Sequence, residues 1–476
     1  MSTAALDAVV VGAGPNGLAA AAVLAKAGKS VLVLERNATP GGGTRTAALT
    51  REGFAHDVCS AIHPMAAGSP VFEELELTRY GLEFCHPELP FVQPLEGERA
   101  GALHRSVEDT ARGLGKDGPV WRRTFGPLVE GFARLRPVLY QPVTRPPLAP
   151  LLMARFGLNS LRSAFAFAEE TFEEPEAKAL FAGAAAHSFC ALESPLSAGF
   201  GFALTLLGHA VGWPAAKGGS QSIARALQAC LEAHGGRVET GREVTSLSLL
   251  PPARAYLFDT SPRALSAIAG DALPPRFHRA AHAFRLAPGV FKLDYALSGP
   301  MPWLSPAAHR TATLHLGGTL REIAASEAAV AQGQVPEQPY CLVAQQSLVD
   351  STRAPKGQHT LWVYCHVPNG CTVDMTERIE AQLERYAPGF RDLVLQKVAT
   401  SPADFQAYNP NYLGGDISCG ALDGLQLLMR PWPQRSSWAT PNPKLFLCSA
   451  ATAPGPAVHG MCGAHAARLA LRTVLR

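Results

Sequence analysis

Gly12, Gly14 and Gly17 form a G-x-G-x-x-G turn, and Glu35 follows them at a distance that suits nucleotide chemistry. Residues of these types at this spacing can hold a dinucleotide. Gly12 permits the tight turn, Gly14 lets the backbone approach a pyrophosphate, and Gly17 lets a helix sit close to a strand. Pro15, Asn16 and Arg36 complete the candidate set, and the Glu35 carboxylate is placed to bind ribose hydroxyls.

The flanking elements are those such a turn needs. Ala8 to Val11 is a short apolar run that predicts a buried strand, and Ala19 to Ala27 is an alanine-rich helix ended by Gly28. The free N–H groups and the dipole of that helix would face the phosphates. Ser30 to Leu34 gives the second strand. Gly113, Gly115 and Gly118 repeat the glycine pattern, but they follow the charged segment His104 to Asp109. That second match predicts a helix end and a polar turn, with no nucleotide site.

The chain's 476 residues are enough for two or three domain-sized units and a large core. Hydrophobic residues make up 47% and charged residues only 17%, and a net charge of +3 excludes nucleic acid as the expected partner. The ten cysteines include no C-x-x-C, which excludes a zinc ribbon and a redox dithiol. They are expected to be small, reduced core residues of a cytoplasmic protein. No long apolar run free of Gly and Pro occurs, so no transmembrane helix and no metal site are expected.

Leu77 to Pro214 reads as largely helical, with Trp121 to Val138 at helical spacing and Gly199 to Val211 almost wholly apolar. Two readings of residues 136–168 stand side by side. Its prolines and arginines (Arg136, Arg145, Arg155, Arg162) fit an internal substrate-domain helix, or a peripheral contact with a membrane surface. His187 and His209 stand alone within apolar runs, each either a satisfied core histidine or a wall of a substrate pocket. Ile223, Leu227 and Leu231 place a helix after Gly218-Gly219-Ser220, and Val238 and Val244 begin strands. GVFKLDYAL alternates, with Phe291, Leu293 and Tyr295 on one face and Lys292 and Asp294 on the other. The last two could serve as a functional pair, but a solvated or cross-strand ion pair is expected of them. The tail reads as a buried strand, a Pro/Gly loop and a helix starting near His459 to Gly463.

In this order, the glycine turn, the Gly41-Gly42-Gly43 loop, the GGSQSIARAL helix and the SAATAPG…HGMCG tail resemble the phytoene-dehydrogenase-like FAD oxidoreductases. Within that group the likeness is to the branch named for pyridine nucleotide-disulphide oxidoreductase domain-containing protein 2, and HDVCSAIHP, GHAVGWP and VFKLDYALSGPMPW extend it over nearly the whole chain. The resemblance implies an α/β fold: a Rossmann-like FAD-binding domain of flavin amine oxidase and phytoene desaturase type, with a discontinuous mixed α+β substrate domain. The expected parts are 1–70, 215–270 and 435–476 for FAD, 71–214 as a helical lid region, and 271–434 as the substrate domain.

It also implies roles. Gly42, Gly43, Thr44 and Arg45 would pass near pyrophosphate and flavin, although Gly43 stands where the family places arginine. Val244 would meet the adenine side through its backbone, and Ala451, His459, Gly460 and Met461 would bring a helix N-terminus to the flavin. His63 would lie beside the ring, and His63, His187 and His209 are the candidate catalytic residues. The implied activity is oxidation or desaturation of a largely apolar small molecule, with oxygen or a quinone as electron acceptor. Two alternatives are a redox-neutral isomerase that needs reduced FAD and a flavin-binding regulatory protein without turnover.

Overall fold

The apolar runs at Leu6–Val11 and Val31–Leu34 form neighbouring parallel strands, buried because helices cover both faces of such a sheet. The computed structural model describes residues 6–142 and 150–476. The sheet has five strands, in the order Leu445–Leu447, Ala253–Phe258, Leu6–Val11, Val31–Leu34, Arg237–Glu239, and every pairing is parallel. Three separate segments of the chain therefore meet in one Rossmann-like sheet. The helices Pro15–Lys26, Gln221–Ala233 and Met461–Arg472 share one core on a face of this sheet.

A second, seven-stranded sheet carries the rest of the chain. Its order is Val394–Thr400, Gly289–Leu297, His359–Val367, Cys341–Ala344, Thr313–Leu316, Phe91–Pro94, Ala100–Leu103. Neighbours run antiparallel except Thr313–Leu316 and Phe91–Pro94. The last two strands precede the helices that fill most of Leu77 to Pro214, a segment that is largely helical as expected. FVQP and AGAL carry Pro and Gly and show no alternation of their own, and they are held as strands by their neighbours.

Some elements depart from expectation. The helix expected over Trp121 to Val138 is two helices, Gly118–Glu130 and Phe132–Leu139, divided at Gly131. Val244 begins no strand; the strand after the helix is Arg237–Glu239 alone. The duplicate glycine pattern ends one helix, Val107–Gly113, and opens the next through a tight turn.

The face of the seven-stranded sheet bearing Phe291, Leu293 and Tyr295 packs under the helix Thr376–Tyr386. The opposite face meets the helices Pro175–Ala186 and Ser197–Ala210. Within 136–168, Arg136 donates to the Gly68 carbonyl and to Glu73, and Arg162 pairs with Glu170. Both guanidiniums thus turn to protein acceptors, whereas Leu151 on the helix Pro150–Ser160 is 90% exposed. Arg145 lies outside the described residues. Among the described residues no helix is long and apolar enough to cross a membrane.

Candidate active site

One cavity of about 1180 Å³ runs from the glycine turn, between the two sheets, to the helices above the second sheet. Its nucleotide end is built by the parallel sheet. Gly12 has φ +98°, which lets the chain turn out of the first strand, and a Cβ there would stand 2.9 Å from the Asp259 carbonyl oxygen. The helix Pro15–Lys26 starts at Gly14, which has no side chain of its own to cap it, and the Asn16 Oδ1 beside it is buried without a partner among the described residues. Gly12, Gly14, Pro15 and Asn16 all line the cavity.

Glu35 lies at the end of the second strand. Its Oε2 accepts the Ala13 N–H at 2.9 Å, and its Oε1 accepts both the main-chain and side-chain N–H of Asn37 at 2.9 Å. These bonds fix the carboxylate in the cavity wall next to Arg36 and Val244. A side-chain-free glycine at the helix start suits a dinucleotide's phosphates, and the Asn16 amide oxygen and the fixed carboxylate, both acceptors, suit its ribose hydroxyls.

The second glycine loop packs directly on the first. The Gly41 N–H donates to the Ala13 carbonyl at 2.8 Å, and a Cβ on Gly42 would stand 3.1 Å from the Gly14 Cα. A Cβ on Gly43 would stand 2.4 Å from the Tyr412 hydroxyl. Arg45 lies over the Tyr408 ring, 4.2 Å from its centroid, and Nε donates to the Gly42 carbonyl at 3.3 Å. Gly42, Gly43 and Arg45 reach the cavity; Thr44 does not, its hydroxyl bonding the Gly41 carbonyl behind the wall. Gly17 is also behind it, its N–H donating to Asp259 Oδ2 at 2.9 Å.

The tail reaches the cavity through Ser449, Ala450, Pro454 and Pro456 to Val458. Ala451, His459, Gly460 and Met461 are not among the lining residues. The His459 ring accepts the Met461 N–H at 3.0 Å, and a Cβ on Gly460 would meet Ala19 and Phe72 at 2.8 Å. Packing against the first helix thus occupies this helix start.

At the other end the second sheet forms a floor. Thr313, Ala344 and Trp362 stand in one cross-strand row, and His315, Leu342 and Tyr364 in the next. Thr313, Leu342, Ala344, Trp362 and Tyr364 line the cavity, and Phe189, Phe200, Leu204 and Trp213 face them from the helical side. His187 ends the helix Pro175–Ala186, which lies so close to the sheet that a Cβ on Gly183 would stand 2.3 Å from Gln93 Oε1. That approach places His187 Nε2 3.0 Å from His315 Nε2.

The three candidate histidines have different surroundings. His63 lines the cavity, but its ring bridges Ser220 Oγ at 2.8 Å and Ser60 Oγ at 3.4 Å, tying its loop to the helix Gln221–Ala233. Burial lowers its pKa to about 4, so it is neutral. His209 lies in the helical core away from the cavity wall, accepting the Trp121 indole N–H at 3.2 Å. It is a satisfied core histidine. His187 is in the wall, and burial first, then the neighbouring His315 and His366 rings, hold it neutral below the usual histidine range.

Lys292 and Asp294 correct the expected solvated or cross-strand pair: both are completely buried and lie on the same strand. Lys292 Nζ donates to Asp294 Oδ2 at 2.5 Å and to the carbonyls of Asp57 and Val58 at 2.9 Å. Arg353 pairs with Asp57 at 2.6 Å and Asp350 at 3.0 Å in the same buried network. It clamps the segment after the second glycine loop to the second sheet. The sequence marks Asp259 only as the end of a strand that returns toward the flavin, and it does not single out Thr313 or His315. A polar pair at alternate positions of a short buried strand was the available signal for the last two.

Residues 10–75 match a family model described as an NAD(P)-binding Rossmann-like domain. The pyridine nucleotide-disulfide oxidoreductase domain-containing protein 2 of Rattus norvegicus is 26% identical, over 98% of this chain and 93% of its own length. Among solved structures, an oxidoreductase from Methanosarcina mazei superposes with a TM-score of 0.67 at 16% identity, covering 98% of this chain and 100% of that one. Cyclohexylamine oxidase from Brevibacterium oxydans superposes with a TM-score of 0.59 at 15% identity, covering 98% and 97%. The structural likenesses carry the fold, and the sequence likeness runs end to end. The chain therefore joins a Rossmann-like nucleotide-binding domain to a fold shared with these two structures, and the full-length relative it resembles is named as an oxidoreductase domain-containing protein.

Proposed function

We propose that this protein is an FAD-dependent oxidoreductase that oxidises or desaturates a largely apolar small molecule. The observation that carries the reading is the single cavity with two unlike ends. Its volume of about 1180 Å³ exceeds the ~300–1,000 Å³ usual for one ligand, so a cofactor and a substrate can lie end to end. FAD, when bound, supplies the two-electron acceptor. The chain's own part is to bind, orient and exclude water. Gly14 and Asn16 offer the helix start to the pyrophosphate, Glu35 offers its carboxylate to ribose, and Gly42, Gly43 and Arg45 border the space beyond. The apolar end, walled by Phe189, Phe200, Leu204, Trp213 and Trp362, favours a substrate with few charges. Oxygen or a quinone would take the electrons onward. The phytoene-dehydrogenase-like motifs support placing the protein in that branch of the flavin oxidoreductases.

The test is direct. Purified protein should release FAD on denaturation in a one-to-one ratio, and a library of apolar compounds added under anaerobiosis should contain at least one that bleaches the oxidised flavin. Substrate conversion without bleaching or a stoichiometric acceptor would make the enzyme an isomerase. Protein free of FAD after expression and reconstitution would refute the reading.

A further inference from the structure

Thr313 and His187 place polar groups in the wall of the cavity's largely apolar end, and His315 backs His187 from behind that wall. Thr313 is 4% exposed, lines the cavity, and its Oγ1 has no partner among the described residues. His187 lines the cavity and has its Nε2 against His315 Nε2 at 3.0 Å. His315 lies on the same strand as Thr313, two residues on and therefore on the same face.

Two ring nitrogens face to face need one proton between them, and Gln93 lies on the far side of the His315 ring. Gln93 Nε2 donates to the Gly318 carbonyl at 3.2 Å, which makes Oε1 the amide's acceptor end. Gln93 Oε1 and His315 Nδ1 are both buried without a partner, and both border the same point, 2.3 Å and 2.9 Å from where a Gly183 Cβ would be. A proton on His315 Nδ1, the side on which that acceptor lies, leaves its Nε2 bare. His187 then donates from Nε2 and keeps a lone pair on Nδ1. Burial lowers the His315 pKa to about 3, and burial with the two nearby histidines keeps His187 uncharged. An uncharged His187 keeps one ring nitrogen as an acceptor.

We infer that His187 and Thr313 form a subsite for a hydroxyl group on the substrate. His187 Nδ1 accepts the hydroxyl proton and the Thr313 hydroxyl donates to its oxygen. The substrate class is then an apolar molecule with a single alcohol, since hydrocarbon alone leaves both groups unpaired in a dry pocket. This rests on the reading of the cavity's far end as the apolar substrate site.

The experiment titrates the purified, flavin-containing protein calorimetrically with decan-1-ol, decyl methyl ether and decane. The alcohol should bind about ten-fold tighter than the ether, the scale of one hydrogen bond to a buried acceptor, and the ether tighter than the alkane. His187→Phe should bring the alcohol down to the ether and leave the alkane unchanged. Thr313→Val should weaken alcohol and ether together, again sparing the alkane. Equal affinity of alcohol and ether in the unaltered protein would overturn the subsite while leaving the apolar cavity standing. So would a His187→Phe protein that loses all three ligands in equal measure, because that is the mark of a structural role. Failure of all three to bind the unaltered protein would overturn the apolar reading of the cavity, and the subsite with it.

Discussion

Asp259 Oδ2 accepts the main-chain N–H of Gly17 at 2.9 Å, joining residues 242 positions apart. The Ala253–Phe258 strand pairs with Leu6–Val11 so that Phe258 is opposite Val11, and the next residue of each chain therefore meets the other at the glycine turn. The aspartate thus caps the helix that the nucleotide's phosphates would approach. Gly14 also packs on it, since a Cβ there would stand 2.5 Å from Asp259 Oδ2.

This geometry gives a pH dependence with a definite sign. Burial pushes the Asp259 carboxyl up to about 7, against the pull of the Gly17 N–H, and Glu35 adds repulsion. Cys419, Cys448 and Cys462 also sense its charge, and all three stay thiols because burial raises them. A carboxyl raised in the folded state stabilises the fold at low pH, and that contribution fades as pH rises from about 4 to about 7. Asp259→Asn keeps an oxygen for Gly17 but carries no charge. In chemical denaturation of flavin-free protein, the variant should gain on the parent through that window, by about 2 kcal/mol at pH 8. Three units would mean roughly 4 kcal/mol, and water in the cavity screens part of it. Parallel stability curves would show that Asp259 does not titrate there. The parent's FAD affinity should also fall over the same range, as the anionic pyrophosphate meets a charging carboxylate.

The two glycine motifs should separate cleanly by flavin content. Gly14→Val places a branched side chain against Asp259 and in the pyrophosphate's approach, and should yield folded protein without flavin. Gly113→Ala is the control: it ends a helix and a Cβ there meets nothing within 4 Å. Gly115, with φ +54°, would confuse the comparison with backbone strain. Glu35→Ala should weaken FAD binding by about 1–3 kcal/mol, the scale of a lost charged acceptor. Absorbance of the oxidised flavin per protein, before and after reconstitution, reads all three.

Lys292→Met should be strongly destabilising. It leaves Asp294 buried without its cation, next to a His56 ring 3.6 Å away that burial has already made neutral. Breaking one partner of a buried pair costs about 3–5 kcal/mol, whereas replacing both by apolar groups is often close to neutral. Lys292→Met with Asp294→Leu should therefore recover much of the loss. A double variant no more stable than the single one in urea denaturation would mean that the carbonyls of Asp57 and Val58, which Lys292 also serves, dominate the cost.

What could be read in advance followed local rules. The glycine turn, the alanine-rich helix, Glu35 and the alternating GVFKLDYAL segment each carry their signal within a few residues, and their elements are present. The rest depends on pairings made at long range. Phe91–Pro94 and Ala100–Leu103 are strands because the sheet edge accepts them. Asp259 matters because two parallel strands end together. His187 became distinguishable from His209 only when the helix it ends pressed against the sheet at Gly183, while His209 was enclosed by Trp121 and Phe125. Burial alone could not separate them, because both are largely enclosed.

The last prediction concerns Gly463, which does not touch the cavity. In the helix Met461–Arg472 it faces the first helix so closely that a Cβ would lie 1.8 Å from the Asn16 carbonyl oxygen and 3.0 Å from the Ala20 nitrogen. Both are main-chain atoms, so the helices themselves must part. Gly463→Ala should cost about 1–3 kcal/mol in stability, the usual scale of overpacking. It should also weaken FAD binding, because Asn16 and the neighbouring Gly14 form the phosphate end of the cavity. Gly126→Ala, in a helix with nothing within 4 Å, should leave both unchanged or raise stability slightly, since alanine is the better helix former. The comparison uses FAD dissociation constants and melting temperatures of the two variants. A Gly463→Ala protein that melts early yet holds FAD with full affinity would mean that the first helix keeps its position while the tail helix gives way. In that case the tail stabilises the fold without setting the cofactor site.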